Sequence, residues 1–352
     1  MSAVAAKAPP SNARADFYER IAGSDLAPLW EVLHGLVTPE PVTPVLPALW
    51  HYDAIRPFIM ESGELITAKE AIRRVLILRN PGLGGQAAVT RTLFAGLQLI
   101  LPGEVAPSHR HTQTALRFVI EGDGAYTAVD GERTTMRPGD FIITPTWTWH
   151  DHGNKSAGPM VWLDGLDIPL VTTLGVSFAE NYPQDEQPIT RPEGDSPARY
   201  GMGLAPVGHV AGGPASPIFN YPYARTRDAL DAMSRRGDLD GHHGYKLQYI
   251  NPLTGGSAIA TMATFMQLLP RGFAGRPYRS TDGTVFAVVE GTGVTTIAGQ
   301  AFRWGPRDIF VVPPWATHAH KVDAGADAVL FSFSDRPVQQ AVGLWREQRL
   351  VA

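Results

Sequence analysis

The chain has no cysteine. Disulfides, thiolate nucleophiles and thiolate metal ligands are therefore excluded, and any metal must be held by nitrogen or oxygen donors. Long apolar runs are also missing. No stretch approaches the roughly 18 apolar residues of a spanning helix, and the opening MSAVAAKAPPSNARADF has no apolar core of a secretory signal. Lysine and arginine form no block and the formal net charge is −4, which argues against nucleic acid or an anionic membrane as partner. These absences predict a soluble, cytoplasmic protein.

What is present is a sizeable core, with 44% hydrophobic and 18% charged residues in a chain of 352. The 36 glycines and 30 prolines suit many short strands and turns. Residues 1 to about 14 read as disordered. Residues 15–37 show helical spacing at Phe17 and Ile21, then Leu29, Trp30 and Leu33. Thr67 before AKEAIRR predicts a capped helix. From Val75 the texture turns to short β-rich runs punctuated by Gly and Pro (VLILRNP, TLFAGLQLILPG, RFVIEGDG, FIITPTW), as in a small antiparallel barrel or jelly roll. Residues 171–240 are loop-rich, with helical spacing from Arg225 to Arg236. β texture resumes from Lys246 to Phe333, and VQQAVGLWREQRL predicts a short amphipathic helix.

The second β region repeats the first. RFVIEGDG matches FAVVEGTG, with Glu121 against Glu290 at an offset of 169. RPGDFIITPTWTWHDH matches GPRDIFVVPPWATHAH, with His150 against His318 at 168. The expectation is a mostly β chain with two tandem barrels: a helical extension over 1–74, a first barrel over 75–170, a linker over 171–240, a second barrel over 241–335 and a C-terminal helix over 336–352.

The chemistry centres on HRHTQTALRFVIEGDG, residues 109–124. In a strand, residues i and i+2 share a face, so His109 and His111 converge. In a regular strand the same parity carries Gln113, Ala115 and Arg117. Two histidines alone more often form an exposed or hydrogen-bonded pair than a metal site. The second half is GDFIITPTWTWHDHGN, with Gly139, Pro145, His150 and Asn154 spaced as G-x5-P-x4-H-x3-N. This spacing resembles the second motif of the cupin superfamily, and the HxH with its glycine turn resembles the first. The resemblance implies a double-stranded β-helix in which His109, His111 and His150 bind a divalent metal. The glutamate usual four residues after the second His is replaced by Ala115, leaving three neutral imidazoles. The second barrel has Tyr278 and Ser280 where the first has His109 and His111. Only His318 remains, with His320 matching His152, so one metal per chain is expected.

The run from Ala95 to Asn154, with RRVLILRNPGL before it, VWLDGLDIPLV after it and PLWEVLHGLV near the start, resembles the gentisate 1,2-dioxygenase family. That family includes the salicylate and 1-hydroxy-2-naphthoate dioxygenases and shares a bicupin fold. The resemblance implies Fe(II), one per chain, a small aromatic hydroxy-acid substrate, O2, a homotetramer and a role in aromatic catabolism. The implied reaction is extradiol-type ring opening between the carboxylate-bearing and hydroxyl-bearing carbons. Both oxygen atoms enter the product, which is maleylpyruvate when the substrate is gentisate. Alternatives are salicylate, a substituted salicylate or 1-hydroxy-2-naphthoate as substrate, a metal-cupin isomerase or decarboxylase, and a non-catalytic cupin that binds a small acid.

Around the metal, Arg117 is the candidate cation for a substrate carboxylate. Arg73 is a second, with Arg74 its rival if the register slips. His152 is a candidate contact for the substrate hydroxyl or the oxygen. Gln98 and Asp164 are candidate partners of the far ligand nitrogens, and Gln113 a candidate substrate contact. Trp147 and Trp149 are expected as wall and packing.

Overall fold

Alternating side chains along the β-rich runs give each strand one face for a barrel interior and one for a shared core. In a computed structural model, which describes residues 11–209 and 213–351, these strands form four antiparallel sheets. The first barrel has a six-stranded sheet ordered Asn220–Tyr221, Phe141–Thr144, Ala115–Glu121, Met160–Leu166, Phe94–Ile100, Val75–Ile77. Its facing five-stranded sheet runs Ala179–Asn181, Val105–His111, His150–Asn154, Ala125–Val129, Glu132–Thr135. The second barrel repeats both orders. Its six strands are Ala48–Trp50, Ile309–Val312, Thr284–Glu290, Ala328–Ser334, Ala263–Leu269 and Tyr245–Gln248. Its five are Glu347–Arg349, Tyr278–Ser280, His318–Val322, Gly293–Ile297 and Gln300–Trp304. The chain is a bicupin.

The two six-stranded sheets share the main core. Phe118, the outward neighbour of Arg117, stacks on Phe331 with ring centroids 4.1 Å apart and planes 3° from parallel. The sheets approach so closely at Gly165 that a Cβ there would lie 2.8 Å from the Phe333 ring. Each barrel interior has its own apolar cluster, Ile100, Val119, Met136 and Trp162 in the first and Phe286, Phe310, Val312 and Trp304 in the second. The matching hairpins turn through Asp130-Gly131 and Ala298-Gly299. All four residues have positive φ (47°, 78°, 48° and 82°), as a two-residue type I′ turn requires.

The repeat extends beyond the barrels. Ala48–Trp50 lies in the first half of the chain but joins a sheet of the second barrel, and Asn220–Tyr221 in turn joins the first. A helix follows each strand, Tyr52–Leu65 and Tyr223–Ser234. The Tyr52 backbone N–H donates to Asp308 of the second barrel (2.8 Å), while its hydroxyl and the Arg56 guanidinium donate to Glu121 of the first (both 2.8 Å). Reciprocally, the Tyr223 N–H donates to Asp140 of the first barrel (2.8 Å), while its hydroxyl and Arg227 hold Glu290 of the second. Two Tyr-x3-Arg helices thus clamp the barrels together.

Some local expectations are corrected. Residues 11–14 are helical, within Ser11–Ala22, and a second helix spans Leu29–Leu36; residues 1–10 lie outside those described. Residues 11–42 belong to a compact unit separate from 43–352. Thr67 does cap a helix, accepting from the Glu70 N–H, but that helix is one turn, Ala68–Ala71. The C-terminal helix is only Arg336–Ala341. Gly343, at φ 72°, ends it, and Glu347–Arg349 pairs with the open edge of Tyr278–Ser280 instead. Unpaired edge groups gain more from a strand partner than an exposed helix of this length gains from itself. The helix read at 225–236 is Tyr223–Ser234. No helix among the described residues is long and apolar enough to cross a membrane.

Candidate active site

His109 and His111 lie on the strand Val105–His111, and His150 begins the antiparallel strand beside it, directly opposite His109. Their ring centroids are 4.5–5.2 Å apart. One ligand atom from each lies within 4.8 Å of the others, and among the described residues this is the one cluster of its kind. Each ring is held by a main-chain carbonyl two residues away. His111 Nδ1 bonds Gln113 O at 2.8 Å, His150 Nδ1 bonds Thr148 O at 2.9 Å, and His109 uses the Pro107 carbonyl. An Nδ1–H donated to a carbonyl leaves Nε2 as a free lone pair. His150 Nε2 is buried without a protein partner. Burial pushes the His109 imidazole down to about 2 and His111 to about 4, with the nearby arginine charges pushing the same way, and His150 is driven well below its ordinary value. All three are neutral at pH 7, as ligation requires. Three convergent neutral nitrogens with an orphaned lone pair fit a divalent transition metal.

The histidines open into a cavity of about 370 Å³. Gln113, Ala115 and Arg117 line it as parity requires, although the strand breaks between His111 and Ala115. Arg73, Gln98 and Asp164 line it too. Arg74 points away into an ion pair with Glu104, 2.5 Å. Ile72, a β-branched residue just before the two arginines, sits at φ 59°, a backbone conformation that costs about 1–3 kcal/mol. Arg73 bonds the Ile72 and Pro107 carbonyls through Nη1, leaving Nη2 buried without a partner. Arg117 Nη1 donates to Thr144 Oγ1 at 2.6 Å, and its Nε lies 3.6 Å from Asp164. Burial lowers both guanidinium groups, Arg73 to about 9 and Arg117 to about 10, and raises the Asp164 carboxyl to about 6 against the pull of Arg117.

Three expectations change. Gln98 and Asp164 are not the partners of the far ligand nitrogens, because main-chain carbonyls fill that role. Asp164 instead faces Arg117 and accepts from Trp162 Nε1 at 3.0 Å. His152 does not line the cavity. It sits behind His150, ring centroids 5.8 Å apart, with Nδ1 bonded to Thr127 Oγ1 at 2.9 Å and Nε2 buried without a partner. Trp147 and Trp149 lie outside the cavity and stack on Arg110 at 4.6 and 4.5 Å. Sequence reasoning missed Thr144, which fixes Arg117, and Ser177, which accepts from Gln113 Nε2 at 2.8 Å. It also missed Ala179–Asn181, which pairs with the ligand strand from within the segment read as linker. A short SFAEN run among turn residues was the only signal for it.

A complete three-histidine set in one barrel and a disabled copy in the other define a metal-binding bicupin. The cupin-domain family matches residues 96–166 and 264–334. The chain is 57% identical over 336 residues to gentisate 1,2-dioxygenase 1 of Aquipseudomonas alcaligenes, covering 96% of each. It is 38% identical to a 5-aminosalicylate 1,2-dioxygenase of Comamonas sp., covering 95% of this chain and 90% of the relative. Among solved structures, it resembles salicylate 1,2-dioxygenase of Pseudoaminobacter salicylatoxidans with gentisate, at 32% identity and TM-score 0.91, covering 98% of this chain and 95% of that one. The chain belongs to the gentisate 1,2-dioxygenase family.

Proposed function

We propose that this protein is an Fe(II)-dependent gentisate 1,2-dioxygenase, with one iron per chain on His109, His111 and His150. It opens the ring of gentisate between the carboxylate-bearing and hydroxyl-bearing carbons, and both atoms of O2 enter maleylpyruvate. One observation carries the reading: a three-imidazole face opening onto a cavity that holds buried Arg117, half-buried Arg73 and a single carboxylate. Fe(II), when bound, supplies open coordination positions and the redox chemistry dioxygen requires. The chain supplies the rest. Arg117, held by Thr144, and Arg73, with its free Nη2, bind and orient the substrate carboxylate through charge-assisted hydrogen bonds. Gln113 and Gln98 orient the hydroxyl-bearing ring from the cavity wall. Asp164 tempers the charge of Arg117 and keeps its guanidinium in plane. His152, behind His150, is oriented by Thr127 Oγ1 at its Nδ1.

Salicylate, substituted salicylate and 1-hydroxy-2-naphthoate are the rival substrates, supported by the relatives that act on them by name. Loading the protein with Fe(II) under anaerobic conditions and measuring oxygen uptake with each acid decides between them. Fastest turnover of salicylate would sink the gentisate assignment, and no uptake with any of them would sink the dioxygenase. A cytoplasmic homotetramer is also proposed. Leu29, Trp30, Leu33 and Leu36 are exposed, which supports self-association.

A further inference from the structure

The second barrel has its own cavity at the mouth, about 450 Å³, on the side that corresponds to the active-site cavity of the first. Its walls include His243, Lys246, Phe265, Arg336, Trp345 and Glu347. Lys246 takes the place that Val75 has in the first barrel: it pairs with Gln267 as Val75 pairs with Gln98. Its ammonium lies 4.5 Å from the centre of the Phe265 ring and, among the described residues, has no ion pair or side-chain hydrogen bond. Of the carboxylates around the cavity, Asp238 is exposed and three others are engaged elsewhere. Asp240 pairs with Arg349 at 2.7 Å, Asp282 accepts from Trp345 Nε1 at 2.8 Å and faces Arg336 at 3.3 Å, and Glu347 accepts from the Tyr278 hydroxyl at 2.8 Å.

Unsatisfied polar groups lie in the barrel interior beyond the lining residues Lys246 and Phe265. Gln267, directly across from Lys246, shares its face of the sheet, and so does Ser332, across from Phe265. Both are fully buried, and neither the Gln267 amide nor the Ser332 hydroxyl has a partner. Buried polar atoms without partners are rare in folded proteins and call for a ligand or water. The walls are flat: the Arg336 guanidinium lies between Trp345, 4.7 Å away, and Phe265, 5.2 Å away. Burial and the Arg336 charge lower the Lys246 ammonium to about 7, and an anion beside it would relieve both.

We propose that the second barrel is a metal-free binding site for a flat monocarboxylate of benzoate size, its carboxylate on Lys246 and its ring in the cavity that Trp345 lines. The cavity has the volume of a small-ligand site. This assignment stands apart from the reaction proposed for the first barrel, because it needs neither iron nor Arg117.

Benzoate is the probe. Calorimetric titration of the chelator-treated, iron-free full chain should show a site that survives Arg117→Ala. Lys246→Met should weaken that site at least about tenfold, the weight of one charge-assisted contact, and Lys246→Arg should restore part of it. Turnover by the iron-loaded Lys246→Met protein should be unchanged. Should Lys246→Met fail to fold, benzoate quenching of tryptophan fluorescence gives a second reading, expected in wild type and lost in Trp345→Phe. Benzoate binding that vanishes in Arg117→Ala and ignores Lys246→Met would overturn the proposal. So would the absence of any heat or quenching up to the millimolar range.

Discussion

The two barrels share strand order, hairpin turns and several local devices. Trp147 and Trp315 both take positive φ, 57° and 63°, and both donate their N–H to the carbonyl beside the first motif, His111 O and Ser280 O. His152 bonds Thr127 at 2.9 Å, and His320 bonds Thr295 at 2.8 Å in the same way. Tyr278 faces His318 as His109 faces His150. The differences at the site are these: two candidate ligands become Tyr278 and Ser280, Arg117 becomes Phe286, and Val75 becomes Lys246. The second barrel keeps its whole fold without a ligand set, so apolar packing holds the architecture. Features common to both barrels, such as the Thr–His bond, belong to the fold. Features found in one alone are the candidates for chemistry.

The largest expected effect breaks the comparison at the ligands. His109→Ala, His111→Ala or His150→Ala should each abolish bound iron and oxygen uptake in a folded protein, whereas His318→Ala should leave iron near one per chain. Iron analysis beside circular dichroism checks this, and two irons per wild-type chain would refute the asymmetry.

Arg117 comes next. A charge-assisted contact to a carboxylate is worth roughly 1.5–3 kcal/mol, so Arg117→Ala should lower kcat/KM about 10- to 150-fold with iron retained. Arg117→Lys should recover part, since it cannot reach Thr144 and the substrate in a fork. Wild-type kcat/KM in Arg117→Ala would move the carboxylate anchor to Arg73.

His152 and His320 sharpen the comparison within a shared device. Losing the Thr–His bond should cost about 1 kcal/mol in either barrel. Denaturant midpoints of His152→Asn and His320→Asn should therefore fall together, while kcat falls only in His152→Asn, iron content being normal in both. Equal kcat in the two variants would make His152 structural.

The last effect, on stability alone, concerns the clamps. The hydrogen bonds from Arg56, followed by that from Tyr52, hold the Glu121 carboxyl below its ordinary value of 4.5 despite partial burial. A carboxyl lowered on folding adds stability that is fully present above its unfolded value and is lost as pH falls through the folded one. Glu121→Gln should thus cost about 1–2 kcal/mol at pH 7. The gap from wild type should close below about pH 4.5, as thermal melts across pH 3–7 would show. A gap that persists at pH 3 would mean packing, not charge, holds that helix.

Much of this was legible in the residues. The three candidate ligands were legible from period-two parity and from the resemblance of the G-x5-P-x4-H-x3-N spacing to a cupin motif, both local. The loss of the second site is visible as Tyr278 and Ser280 in a matched register. Arg117 was placed by parity, and the structure keeps it there although the strand breaks, because the turn at 112–114 preserves the side-chain alternation. What sequence could not assign depends on partners distant in the chain. Asp164 meets Arg117 only because two strands lie side by side in the folded sheet. Arg73 lines the cavity while Arg74 pairs with Glu104, a division that only the folded register fixes. The reciprocal strands Ala48–Trp50 and Asn220–Tyr221 carry too few residues for any periodicity and gain their structure from the sheet edges they complete. Sequence by itself determined the barrels, the candidate ligand set and its missing copy, because strand alternation and ligand chemistry are written at short range. Tertiary structure alone decided which barrel each leading strand and helix serves, which cation faces the cavity and which carboxylate balances it, because edge pairing, register and burial of charge are properties of the assembled sheets.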